Sequence, residues 1–101
     1  MATVIYDMLK EEKQRNIKMQ EAYKKEIATL RKGSISKKTI SGINYYYLKY
    51  RQKDKVKNDY IGKDEELVEK VRVEIEKRKH LQSLLKRLQV EYQQISTIVK
   101  D

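Results

Sequence analysis

The chain contains no cysteine, proline, tryptophan or phenylalanine, and only one histidine. Each absence excludes something. Without cysteine there is no disulfide framework, no thiolate zinc site and no cysteine nucleophile. A lone His80 cannot supply paired imidazoles to a metal, so it reads as a solvated helical residue. Glycine is scarce as well: Gly33, Gly42 and Gly62 are isolated turn residues, and no glycine-rich phosphate loop runs through them. Ser34, Ser36 and Ser41 have no general base nearby in the sequence, which leaves them turn and strand roles. No apolar run approaches the roughly 20 residues of a membrane span, and MATVIYDMLKEEKQRN lacks the basic-then-apolar order of a secretory signal. These exclusions predict a cytoplasmic, non-enzymatic protein with no catalytic residues, no metal, no cofactor and no membrane partner.

Charge is what the chain has in excess. Of its 101 residues 39% are charged, with 24 Lys and Arg against 15 Asp and Glu, a net charge of +9. Val, Ile and Leu make up only a quarter of it, a composition close to that of long solvated helices. The excess is uneven. Residues 33–63 hold 8 basic and 2 acidic side chains, whereas residues 64–101 hold 8 of each. A positive excess gathered in the middle third points to a polyanionic partner rather than to solubility alone.

Two helices flank this basic segment. The first is expected over 4–31, with Thr3 as N-cap and Gly33 as the left-handed residue behind the last turn. Its seam is Ile5, Leu9, Glu12, Asn16, Met19, Tyr23, Glu26 and Leu30, with Ile27 beside it and a polar gap over 10–16. The second helix is expected over 64–98, with Asp64 as N-cap and Glu65 and Glu66 in the first turn, where the helix dipole favours negative charge. Placement at a helix start, with Glu69 one turn on, also explains these acids better than a metal cluster does. Alternate steps of four and three give Leu67, Val71, Glu74, Arg78, Leu81, Leu85, Leu88, Tyr92, Ile95 and Val99, a heptad-like stripe. Its weak point is EKRKH at 76–80, where a bend would fall and where Lys77, Arg78 and Lys79 read as a solvated run. Such a helix cannot bury its stripe alone. It packs on the first helix as a hairpin, or on a second copy as a homodimer through 67–99, and the hairpin is favoured because the sheet brings the two helix ends back together.

Between the helices the hydrophobic period drops to two. Strands are expected at 34–40, 43–51 and 55–61, joined by a tight Ser41-Gly42 turn and a three-residue turn at 52–54. The fold class is therefore α+β, a single domain over 1–101 with two long antiparallel helices and a three-stranded antiparallel meander in the order α-β-β-β-α. Alternation along the second strand puts Tyr46, Leu48 and Tyr50 on one face and Tyr45, Tyr47, Lys49 and Arg51 on the other. In the third strand Val56, Asn58 and Tyr60 form the more apolar face, expected to turn inward. The outward face then gathers Tyr45, Tyr47, Lys49, Arg51, Lys55 and Lys57, with Lys37 or Lys38 from the first strand. Interleaved cations and tyrosines on one wet face suit phosphate neutralisation and base stacking. The expected partner is DNA or RNA. The alternative is a nucleic-acid-bound protein, the chain acting as an inhibitor of anti-CRISPR or antitoxin type on a nucleic-acid-handling enzyme.

The stretch GSISKKTISGINYYYLKYRQKDKVKNDYIGK, followed by RKHLQSLLKRL, resembles a family of small bacterial and phage proteins. Its core has the form GS(L/I)xxK…GxxYYYLxYR…K…YIGK, met here from Gly33 and Ser34 through Tyr45, Tyr46, Tyr47 and Arg51 to Lys63. That resemblance implies a phage or mobile-element setting and brings no activity with it. Three basic-aromatic strands followed by a helix are also similar, by analogy of element order, to the arm-type DNA-binding domain of phage and transposon integrases, which implies DNA contact through the sheet.

Overall fold

The computed structural model describes residues 2–100. The elements run α1 (Ala2–Thr29), β1 (Ser34–Ile40), β2 (Ile43–Gln52), β3 (Lys55–Gly62) and α2 (Glu65–Ile98), and the strands form one antiparallel sheet in the order β1-β2-β3. This is the expected α-β-β-β-α arrangement of an α+β protein. The chain divides into two compact units. One contains α1 and the part of α2 from His80 onward; the other is Leu30–Lys79. Among the described residues no helix is long and apolar enough to cross a membrane.

In the helical unit α1 packs antiparallel on the later turns of α2. Ile27, Leu81, Ile95 and Val99 are buried there, while Leu85, Leu88 and Tyr92 are half-buried. The polar gap of the α1 seam is filled rather than open. Asn16 is 2% exposed and donates through Nδ2 to the Leu88 carbonyl at 2.9 Å. Its Oδ1 accepts from Gln20 Nε2 at 2.6 Å. Lys13, 7% exposed, donates to the Val99 carbonyl at 3.1 Å and holds its ammonium 5.4 Å from the centre of the Tyr92 ring. Burial of such groups is tolerable only because each finds an acceptor. Two seam members stand outside: Ile5 and Met19 are exposed.

In the other unit α2 lies on one face of the sheet. Leu48 of β2 packs with Val71 and Ile75, and Ile35, Tyr50 and Ile61 close round them. The buried stripe there runs Val68, Val71 and Ile75, one residue round the helix from the expected Leu67 and Glu74. Glu74 and Arg78 are the polar steps of the expected stripe, and both meet the chain that leaves α1. Arg78 Nη1 donates to the Leu30 carbonyl at 2.7 Å, and the Arg31 N–H donates to Glu74 Oε1 at 2.7 Å. Arg78 is therefore an anchor, not part of a solvated run, and α2 continues through 76–80 without a break.

The helix starts and stops partly follow expectation. Asp64 caps α2: its Oδ1 accepts from the Glu66 N–H at 3.0 Å. Thr3 does not cap α1, which already includes Ala2. Nor does Gly33 close α1, since that helix ends at Thr29. Gly33 (φ 122°) lies instead against β2, where an added Cβ would fall 2.3 Å from the Lys49 carbonyl oxygen. Only glycine permits both that backbone angle and that approach.

The two hairpins differ in what they do to the strands. Ser41 (φ 51°) and Gly42 (φ 79°) form the two-residue turn between β1 and β2, both with the positive φ that matches strand twist. The second hairpin also has two turn residues, Lys53 and Asp54, with Lys53 at φ 56° and Gln52 opposite Lys55. A bulge interrupts the β2–β3 ladder: Tyr46 pairs with Gly62 and Tyr47 with Tyr60, leaving Ile61 as the extra residue.

Candidate nucleic-acid interface

Residues opposed across an antiparallel ladder share a face of the sheet. From β1 and β2 the uncovered face receives Lys38 opposite Tyr45, Ser36 opposite Tyr47 and Ser34 opposite Lys49. From β3 it receives Tyr60 opposite Tyr47, Asn58 opposite Lys49 and Val56 opposite Arg51. The face thus collects three cations, Lys38, Lys49 and Arg51, and three tyrosines, with no carboxylate at any of its strand positions.

Lys55 and Lys57 are not on it. They pair with Gln52 and Tyr50 and so stand on the side of Leu48, together with Asp59. Lys37, opposite Tyr46, is on that side too. The cause is turn length. A three-residue turn at 52–54 would pair Arg51 with Lys55; the two-residue turn moves the pairing by one, and every side chain of β3 changes face. Val56 and Tyr60 accordingly point outward, at 52% and 57% exposed, rather than into the core. Of the eight residues expected at the site, the structure brings together Lys38, Tyr45, Tyr47, Lys49 and Arg51. It adds Tyr60 and Asn58, which strand alternation alone placed inward.

The centre of this face is preorganised. The Tyr47 and Tyr60 rings lie 5.4 Å apart, tilted at 57°. Lys38 holds its ammonium 5.3 Å from the centre of the Tyr47 ring, a cation–π contact that aims the charge across the face. Tyr45, Tyr46 and Tyr47 are all half-buried, where alternation predicts Tyr46 covered and Tyr45 and Tyr47 open; for Tyr47 these two neighbours supply the cover. Tyr60 is the ring left accessible. Lys49 and Arg51 extend the positive strip toward the β2–β3 turn, and both are exposed.

On the other face, Tyr50 donates its phenol hydrogen to Asp59 Oδ2 at 2.9 Å. That hydrogen bond, with desolvation and the charge of Asp59 adding to it, holds the phenol pKa above its ordinary 10.0. The sheet therefore sorts its charges: the acid of β3 is kept on the helix side, engaged by a tyrosine, and the uncovered side is purely cationic.

The model of the family described as a domain of unknown function (DUF6788) matches residues 8–73, and the chain belongs to that family. No curated protein and no solved structure is significantly similar to it.

Proposed function

We propose that this DUF6788 protein is a non-enzymatic nucleic-acid-binding protein that meets its ligand with the uncovered face of its sheet. The observation behind this reading is the register of the sheet: β1–β2 pairing sets Lys38 beside Tyr45, β2–β3 pairing sets Tyr60 beside Tyr47, and with Lys49 and Arg51 on the same face no acid stands among them. Cations so placed neutralise backbone phosphates and release the counterions that had screened them, a term nearly indifferent to sequence. Arg51 offers a fork of donors to phosphate oxygens. Tyr60 offers an open ring to a base or sugar, while Tyr47, flanked by Lys38 and Tyr60, is a wall that positions both. The place of such a protein is the cytoplasm, with its ligand.

The test is binding of random duplex DNA, single-stranded DNA and RNA as a function of salt. Lys38→Ala, Lys49→Ala and Arg51→Ala combined should weaken binding to all sequences and make log K against log salt shallower by about two to three. A second triple variant, Lys24→Ala, Lys25→Ala and Lys86→Ala, removes the same charge from exposed lysines of the helical unit. Equal losses in the two variants would show that binding follows total charge and that the site is misplaced. Absence of binding by the wild type at low salt would end this reading in favour of a protein partner on a nucleic-acid-handling enzyme.

A further inference from the structure

Toward the β2–β3 turn the sheet is only two strands wide. Pairing with β1 stops at Ser34 opposite Lys49, so Tyr50, Arg51 and Gln52 have β3 as their single strand neighbour, opposite Lys57, Val56 and Lys55. This ribbon carries cations on both faces. Arg51, next to Lys49, marks the outer one; Lys55 and Lys57 mark the reverse, and Lys53 sits in the turn. The lysines of the reverse face converge: Lys53, Lys55 and Lys57 line one open groove of about 350 Å³ with Gln52 and Asp54. Of the strand and turn residues, two carboxylates share that side. Asp59 is engaged by the Tyr50 hydroxyl, and Asp54 belongs to the turn itself.

We propose that the reverse face of this ribbon is a second phosphate contact, and that the ligand is double-stranded DNA gripped by both backbones. The proposal rests on the outer-face reading above and names the class of nucleic acid it takes. The cations of the two faces point away from one another, so a single backbone running along the outer face leaves Lys55 and Lys57 without phosphate. A duplex supplies the second backbone across its groove. The wide groove of B-form DNA, about 12 Å across, admits a two-stranded β-ribbon with a phosphate wall on either side. The corresponding groove of an A-form RNA duplex is too narrow for side chains to enter. The tilted, occupied Tyr47 ring argues in the same direction, because a single-strand platform needs successive open rings and this face leaves one.

The experiment measures anisotropy with a labelled random DNA duplex, one of its single strands, and an RNA duplex of the same sequence. Lys53→Ala, Lys55→Ala and Lys57→Ala combined should lower affinity for the DNA duplex about tenfold or more and make its salt slope shallower by about two to three. Affinity for the single strand should stay within about twofold, since its one backbone occupies the outer face. The wild type should bind the DNA duplex more tightly than the RNA duplex. An unfolding midpoint measured on each variant checks the fold, and glutamine replaces alanine at the three sites if that midpoint drops. Equal loss on duplex and single strand, a loss no larger than that of the Lys24, Lys25 and Lys86 triple variant, or RNA duplex bound as tightly as DNA overturns the proposal while leaving the outer-face site standing. A wild type that binds none of the three probes overturns both.

Discussion

The side-chain amide of Asn16 donates a 2.9 Å hydrogen bond to the main-chain carbonyl of Leu88. It does so from a position 2% exposed, in the polar middle of the α1 seam. An amide buried this deeply is costly wherever its partners are missing. Sliding α1 by a turn against the later part of α2 would strand it, so the bond fixes the phase of the two helices as well as contributing to their stability.

Asn16→Ala should therefore lower unfolding stability by about 1–3 kcal/mol in urea. Asn16→Leu, close in volume and without need of a partner, should recover most of that loss. Its amides over 84–92 should nevertheless exchange faster, because the seam then tolerates more than one register. An Asn16→Ala midpoint equal to that of the wild type would show that the bond contributes nothing.

Glycine substitutions separate close approach from backbone strain. At Gly33 a Cβ meets the Lys49 carbonyl oxygen at 2.3 Å and Tyr50 Cβ at 2.9 Å. At Gly42 it meets nothing within 4 Å, and only the positive φ opposes it. Gly42→Ala should cost about 1 kcal/mol, and Gly33→Ala clearly more, with the β2 strand displaced. Thermal midpoints of the two variants rank them directly.

The Tyr50–Asp59 hydrogen bond gives a pH dependence with a definite sign. The phenol pKa is raised in the folded protein above its ordinary 10.0. The contribution is then fully present below about pH 10 and is lost as pH rises through the raised value. In an ultraviolet difference titration one of the 8 tyrosines should ionise later than its ordinary value. Asp59→Asn should bring it back, lower stability below about pH 10, and remove the loss of stability that otherwise accompanies the rise of pH through the raised value.

On the binding face the tyrosines should divide by accessibility. Tyr60 is 57% exposed, and Tyr60→Ala should cost roughly 1–3 kcal/mol of affinity wherever its ring stacks, with the salt slope unchanged. Fold stability should barely move. Tyr47→Ala removes the ring on which both Lys38 and Tyr60 lean, so it should lower stability and affinity together.

Much of this was readable from residue spacing. The period change from helix to strand located all five elements, Asp64 announced its cap, and alternation along β2 found Leu48 in the core. What spacing could not supply was the length of the second turn. Gln52, Lys53, Asp54 and Lys55 are all ordinary turn or strand-end residues, and nothing local distinguishes a loop of two from a loop of three. The choice is made by the core: Ile61, the bulged residue, packs against Leu48 only in the register that puts Asp59 inward and Tyr60 outward. One residue of slip was enough to assign Lys55 and Lys57 to the wrong face and to hide Tyr60. The polar gap in α1 misled for a related reason, since Lys13 and Asn16 gain their burial from carbonyls that a sequence does not display.

Lys13, Asn16 and Arg78 each hydrogen-bond a main-chain oxygen, those of Val99, Leu88 and Leu30. A carbonyl is the same chemical object whatever side chain hangs beside it. Variation at 88, 99 or 30 is then limited by packing volume alone, while 13, 16 and 78 keep their donor requirement regardless of what those partners become. Pairwise substitution maps of this protein should accordingly show three sharply restricted donor positions and no compensating changes at the residues they touch, so a search for contacts by correlated mutation would pass over the bonds that hold its segments in phase.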